Sequence, residues 1–377
     1  GGKYYVTTPI YYVNDKPHIG HAYTTIACDI IARYKRLRGD DVMFLTGTDE
    51  HGQKVQQSAE KNGVTPLEFA DQVSENFQSL ASELECSHDQ FIRTTEPRHK
   101  KAAEHLWKTL EDKGQIYLGF YEGWYSVRDE TYYKESELVD GKAPTGAEVE
   151  WVVKEPSYFF KLSEWTQPLL DFYEKNPDFL QPAIRKAEIV NFVSQGLQDL
   201  SISRTTFDWG VKVPTDDEGK HVMYVWIDAL TNYLTAAGYP WEDGKTSEFW
   251  PPNLHVMGKD ILRFHAVYWP ALLMAAGIEP PKALFAHGWW MRDGQKMSKS
   301  IGNVINPRDL IENYGVDQTR YFMASTVSFG DDGDYSEEQM LTACNGVLAN
   351  GLGNLAQRSL SMVFKSCGKI IPPPPSE

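Results

Sequence analysis

Pro17-His18-Ile19-Gly20-His21 stands where a first β-strand should hand over to a first helix. Residues 3–8 are a short β-branched and aromatic run ending at Pro9. Residues 20–38 carry Ala22, Tyr23, Ile26, Ala27, Ile30, Ile31, Tyr34 and Leu37 at helical spacing. A helix N-terminus presents N–H groups and partial positive charge, so it seats phosphate, and Gly20 lets a ligand approach the backbone. Two histidines three apart on the first turn can reach the same anion. This reads as a nucleotide site without a glycine-rich loop. The rival reading is a pair of exposed or capping histidines, and a second motif is needed to decide.

Outward from that stretch the chain alternates strand and helix. Residues 42–46 read as a strand, Gly47-Thr48-Asp49-Glu50-His51-Gly52 as a loop, and residues 53–61 as a helix closed by Asn62-Gly63. Thr65-Pro66-Leu67-Glu68 opens the next helix as a capping box with proline at its first position. Residues 91–95 follow as a strand and 97–113 as a helix. The expected fold class is therefore α/β, a doubly wound, Rossmann-like parallel sheet with ligands at the carboxyl ends of its strands, where His18, His21 and the Asp49 loop fall. Between 117 and 214 the rhythm gives way to short aromatic runs and two helices, at 163–174 and 183–197, read as a small α+β insertion. The βα pattern resumes with a strand at 221–227, a helix at 228–237, a strand at 254–257, a helix at 259–276 kinked by Pro270, and a strand at 283–286. The expected division is 1–116 and 215–290 as halves of one domain, 117–214 inserted, 291–335 a linking region, and 336–377 a further helix.

Composition sets bounds on function. The 377 residues, 41% hydrophobic, suffice for two or three domains with proper cores. No run of eighteen apolar residues appears and the N-terminus enters a strand directly, so neither a membrane span nor a signal peptide is expected, with cytoplasm or an organelle matrix after transit-peptide removal as the compartment. Cys28, Cys86, Cys344 and Cys367 form no CxxC pair and read as core thiols. A net charge of -15 argues against sequence-independent nucleic-acid binding over the whole surface.

The second motif is Lys296-Met297-Ser298-Lys299-Ser300, between Gly294 and Gly302. Two lysines three apart in a glycine-bounded loop can set two ammonium charges on a polyphosphate, and the glycines let the loop close.

With both motifs present the chain resembles the class I aminoacyl-tRNA synthetases, and among them the methionyl-tRNA synthetase family. The resemblance runs through the histidine turn, the Gly47–Gly52 loop, Tyr224-Val225-Trp226-Ile227-Asp228-Ala229, Gly258-Lys259-Asp260-Ile261 and the lysine motif. It implies that the carboxylate of L-methionine attacks the α-phosphate of ATP, with Mg²⁺ sharing the charge, and that the methionyl group then moves to tRNA(Met). By that resemblance His18, His21, Lys296 and Lys299 are catalytic. His18, Gly20, His21, Gly258, Asp260, His287, Met297 and Lys299 line the ATP site, with Asp260 on the ribose. Asp49 would pair with the substrate ammonium, and Ile10, Tyr12, Trp226, Ala229, Leu230, Tyr233, Ile261, His265 and Trp269 would form the methionine pocket. Aromatic rings and an apolar wall suit a flexible thioether. Ordinary core packing is the competing account, strongest for Ile261 and Leu230. The first step needs positioning and electrostatics but no base, because the attacking carboxylate is already ionised.

Where many relatives carry a cysteine-ligated zinc knuckle, residues 121–130 contain no cysteine, so no zinc is expected there and Trp124, Tyr125 and Tyr132 are expected to hold the insertion together. Two rivals remain: a metallohydrolase built on His18, His21, Asp49 and His51, and a non-catalytic tRNA-binding relative. Asp331, Asp332 and Asp334 read as a solvated turn before a helix capped at Ser336. That helix carries Leu341, Leu348, Leu352, Leu355 and Met362, and is expected to dock on the preceding region as the start of an anticodon-reading bundle whose remainder lies outside this chain. No membrane partner is expected.

Overall fold

In the computed structural model, residues 1–14 and 16–375 are described. β1 (Lys3–Thr7) and β2 (Tyr11–Tyr12) lead into α1 (Ile19–Leu37), followed by β3 (Asp41–Asp49), α2 (Gln53–Lys61), α3 (Pro66–Glu83), β4 (Gln90–Arg93) and α4 (Pro97–Asp112). The capping box forms as its residues require: the Thr65 hydroxyl accepts from Glu68 N–H at 3.2 Å and the Glu68 carboxylate from Thr65 N–H at 3.0 Å. Then come β5 (Ile116–Ser126), β6 (Thr131–Tyr133), β7 (Glu150–Phe160), α5 (Thr166–Lys175), β8 (Leu180–Gln181), α6 (Ala183–Ser194), β9 (Leu200–Ser201), β10 (Ser203–Arg204) and β11 (Val222–Met223). The chain continues with α7 (Val225–Ala236), β12 (Leu254–Gly258), α8 (Trp269–Ala276), β13 (Leu284–His287), β14 (Trp290–Arg292), β15 (Gln295–Lys296), α9 (Pro307–Tyr314), α10 (Val316–Ser325), β16 (Gly333–Tyr335), α11 (Glu337–Thr342) and α12 (Asn354–Ser366).

The main sheet is parallel throughout, in the order β2-β3-β1-β12-β13-β8, with β4 also paired to β3. Asp49, the Pro9-Ile10 turn, Gly258 and His287 therefore stand at the carboxyl ends of the neighbouring strands β3, β1, β12 and β13, the edge where such sheets bind ligands. A continuous core containing Tyr5, Leu45, Trp107, Phe160, Tyr233 and Trp269 backs this edge.

Several expectations need correction. The insertion is narrower than 117–214: β6-β5-β7-β9 form an antiparallel sheet of their own, but β8 pairs with β13 in the main sheet, and Leu169, Tyr173, Ile189 and Val193 from α5 and α6 lie in the main core. Those helices looked foreign because the strand before α5 belongs to the antiparallel sheet and β8, between α5 and α6, is only two residues long. Within the insertion the expected aromatics do pack, Trp124 edge-on to Trp151 and Tyr132 against Tyr121 and Tyr125. The strand expected at 221–227 stops at Met223, and Trp226 and Ile227 are helical. A buried apolar run reads alike as strand or helix, and the turn at Tyr224 decides. Pro270 produces no break: a π-helical turn over Phe264–Tyr268 runs straight into α8 with helical backbone at Tyr268 and Trp269, and the Ala266 carbonyl, four residues before the proline, accepts from the Tyr173 hydroxyl instead.

The C-terminal helix is capped by Ser336 as expected, but its stripe does not dock. Met340 and Ala343 are buried, whereas Leu341, Leu352, Leu355 and Met362 are exposed, because a π-helical stretch over Ala343–Gly353 carries the chain away from the second core. Among the cysteines only Cys28 is fully buried, and Cys367 is exposed rather than a core thiol. Among the described residues no helix is long and apolar enough to cross a membrane.

Candidate active site

The histidine turn satisfies both of its readings at once. His18 is the N-cap of α1: its Nδ1 accepts from Gly20 N–H at 3.0 Å, while His18 N–H donates to His21 Nδ1 at 3.0 Å. With both Nδ1 atoms accepting, the ring protons sit on Nε2, so each imidazole caps with one nitrogen and is a donor through the other. Burial, reinforced by the neighbouring His18, holds His21 well below the usual histidine range, hence neutral. Gly20 is required locally too, since a Cβ there would meet the His18 ring at 2.8 Å.

The lysine motif lies on a hairpin in which Met291 pairs with Lys296 across Gly294, whose φ of +74° suits glycine. Asn303 closes the following turn, accepting from Ser298 N–H at 2.8 Å and donating to Lys296 O at 3.2 Å. Met297 packs against the core cluster that contains Ile19, and Ile19 N–H donates to Ile305 O at 3.1 Å, so the two motifs share one support. A Cβ at Gly258 would come within 2.6 Å of Asp260 Oδ1 and 3.7 Å of the His287 ring, which places these three ATP candidates together. Both His287 nitrogens are engaged by the protein: Nδ1–H donates to Gly288 O and Nε2 accepts from the Thr24 hydroxyl, each at 2.7 Å. The acidic run is exposed, as a solvated turn should be, but two of its carboxylates also have partners. Asp332 binds Lys259 at 2.9 Å and accepts from Trp289 N–H at 2.8 Å, and Asp334 accepts from Gly294 N–H at 3.0 Å, so the run staples the root of the lysine loop.

On the methionine side, Asp49 is buried at the end of β3, in register with Tyr12, and its Oδ1 has no hydrogen-bond partner. Burial, then Asp228 and Glu130, push its carboxyl well above the usual range. An acceptor in that state calls for a cation. Trp226 stacks on Phe264 at 3.8 Å with planes 6° apart, Tyr233 donates to His265 Nε2 at 2.7 Å, and His265 Nδ1–H donates to Ile261 O at 3.0 Å. Burial lowers His265 to about 4, fixing it neutral. Ala229 and Leu230 are buried on α7, and Ile10 and Ile261 pack partly buried against the same core. Trp269 is wholly buried, with Nε1–H donating to His255 Nε2 at 3.3 Å.

Other residues of this site escaped the sequence. Asp228 is buried between His51 Nδ1 and His99 Nε2, both at 2.7 Å; despite burial the two imidazoles hold its carboxyl far below the usual range, and the pair fixes the Asp49 loop. Glu130 reaches in from the insertion to accept from the Tyr12 hydroxyl at 2.9 Å, beside Gly52, where a Cβ would meet its Oε1 at 2.3 Å. Arg204 is buried among Tyr125, Tyr132 and Tyr224, its Nε without an acceptor. Only the run of charged residues within an otherwise aromatic insertion hinted at Glu130. Among the described residues no three metal-ligating side chains converge.

A parallel sheet with a histidine turn at one strand end and a lysine hairpin facing it defines the class I aminoacyl-tRNA synthetase arrangement. The family model described as "tRNA synthetases class I (M)" matches residues 4–150 and 136–360. The chain is 59% identical over 370 residues to the methionine–tRNA ligase of Rickettsia conorii, covering 98% of this chain and 72% of that one. It is 57% identical over 377 residues to that of Brucella suis, covering 99% and 73%. The Mycobacterium tuberculosis methionyl-tRNA synthetase in complex with methionyl-adenylate overlays with a TM-score of 0.94 at 54% identity, over 100% of this chain and 75% of that one. Its apo form overlays at 0.84 and 50% identity, over 100% and 72%. The chain belongs to the class I tRNA synthetases, in the family of methionine–tRNA ligases.

Proposed function

We propose that the chain activates L-methionine with ATP to methionyl-adenylate and pyrophosphate, then transfers the methionyl group to the 3′ end of tRNA(Met), in a cytoplasm or an organelle matrix. The observation that carries this reading is the buried Asp49 Oδ1, without a hydrogen-bond partner, at the same carboxyl edge of the sheet as the histidine turn. It suits a substrate ammonium, with Trp226, Tyr233, His265 and Ile10 around the thioether and Tyr12 alongside. In the first step a methionine carboxylate oxygen bonds to the α-phosphorus as the bond to the β-phosphate oxygen breaks. His18 and His21 donate through Nε2–H to phosphate oxygens, and Lys296 and Lys299 meet the charge gathering on the leaving pyrophosphate. Gly20 and Gly258 admit the nucleotide, Asp260 accepts from ribose hydroxyls, Met297 flanks the adenosine, and His287 contributes its ring edge, since its nitrogens are engaged. In the second step a terminal ribose hydroxyl of the tRNA attacks the carbonyl carbon and AMP leaves.

Mg²⁺ accompanies ATP in such chemistry and neutralises polyphosphate charge. Among the described residues no three His, Cys, Asp or Glu side chains converge, and ATP oxygens would supply most of its ligands. We assign the main sheet and its helices to adenylation, the β5–β7 hairpin to shaping the amino-acid pocket through Glu130, and the helices after Ser336 to the tRNA side. Exchange of labelled pyrophosphate into ATP tests the reading: it should require methionine and fail with leucine, valine, isoleucine or cysteine. Exchange indifferent to the amino acid would overturn it.

A further inference from the structure

Trp289 belongs to no part of the reaction assigned so far, yet it touches two parts of it. Its Nε1–H donates to Asp260 Oδ1 at 3.3 Å, and Lys296 Nζ lies over its ring, 4.1 Å from the centroid. The residue is itself held: its backbone N–H donates to Asp332 at 2.8 Å, and Lys259, bound to the same carboxylate, lies 4.3 Å over the indole. The acidic run thus fixes Trp289, and Trp289 presents an edge to the carboxylate and a face to the lysine.

We propose that Trp289 is a positioning residue for both ends of ATP. Its N–H edge orients Asp260 for the ribose, and its ring face docks Lys296 beside the polyphosphate path, limiting the region a long exposed side chain searches before the loop closes. The inference rests on the functional reading above for the role of Asp260, while the lysine dock stands on geometry alone.

Two substitutions separate the functions, because phenylalanine keeps a ring face without an N–H and leucine keeps neither. Steady-state exchange gives KM for ATP against kcat. The rate at which a water-soluble N-hydroxysuccinimide ester acylates Lys296, read by mass spectrometry against exposed Lys245, gives the state of the dock. Trp289→Phe should raise KM for ATP about two- to tenfold, with kcat kept and Lys296 labelling unchanged. Trp289→Leu should raise KM alike and speed Lys296 labelling about two- to fivefold, the size of an exposed cation–π contact. Trp289→Phe in an Asp260→Asn background should add nothing further to KM. A purely structural role would instead lower the melting temperature and move both readouts together in both variants. If Trp289→Phe leaves KM unchanged, or Lys296 labelling in Trp289→Leu matches the parent, the inference is wrong. If Trp289→Leu does not fold, slower labelling of Lys296 than of Lys245 in the parent chain is required, and equal rates overturn the dock. A parent chain with no methionine-dependent exchange overturns the functional reading and the Asp260 half with it, which is distinguishable from normal parent exchange with an unaltered Trp289→Phe.

Discussion

Around Asp49 the polar groups are buried and locked to one another: Asp228 between His51 and His99, Tyr233 on His265, Glu130 on Tyr12. Around Lys296 and Lys299 the side chains are exposed, on a short hairpin stapled at its root by Asp332 and Asp334. The difference suits the function proposed above. A thioether and an ammonium would be recognised by shape and by one ion pair, which buried groups already held by one another perform with little reorganisation. A polyphosphate would enter, change its charge distribution and leave as pyrophosphate, which suits cations on an exposed loop.

That contrast can be broken most directly at Asp49. Asp49→Ala should weaken methionine binding by about 2–5 kcal/mol, the cost of leaving the substrate ammonium unpaired in a desolvated site. Binding of ATP should hold. Calorimetric titration with each ligand checks this, and equal losses for both would mean Asp49 acts on the fold instead.

On the exposed side, Lys299→Ala should lower the rate of adenylate formation about 100-fold with little change in KM for methionine, since its charge is needed chiefly in the transition state. Single-turnover kinetics decide it. An increase in KM at unchanged turnover would place Lys299 in ground-state binding and erase the contrast.

A smaller effect sharpens the buried side. Burial raises Glu130 to about 7 from its ordinary 4.5, so the folded chain binds that proton more tightly than the unfolded one. The native chain therefore loses stability from this group as pH rises through that interval, whereas a glutamine does not titrate. Glu130→Gln, which keeps an acceptor for Tyr12, should gain about 1–3 kcal/mol relative to the parent between pH 5 and pH 8. Denaturant titrations at the two pH values measure it; a pH-independent difference would show that Glu130 is not desolvated.

The residues legible in the sequence are those whose role is set by local geometry. His18, Gly20 and His21 announce themselves at a strand–helix junction, Lys296 and Lys299 between glycines, and Thr65 and Ser336 as caps, because each depends on spacing within one turn or loop. The parallel sheet was legible for the same reason, since alternating periodicity is a short-range property. What tertiary structure alone decided depends on contacts between distant segments. Asp228 meets His51 and His99 across separations of 177 and 129 residues, and Glu130 meets Tyr12 across 118, so even where the surrounding stretch stands out in the sequence, the partner does not. The same holds for β8, a two-residue strand that pairs with β13 on the edge of the sheet, and for Asp332, which reads as one more solvated aspartate until folding sets it between Lys259 and Trp289. Local sequence fixes what a turn or helix end can bind. Which buried charges face one another is set by the packing of the whole sheet, because whether donors converge on a desolvated carboxylate, as at Asp228, or leave one oxygen without any, as at Asp49, depends on segments far apart in the chain.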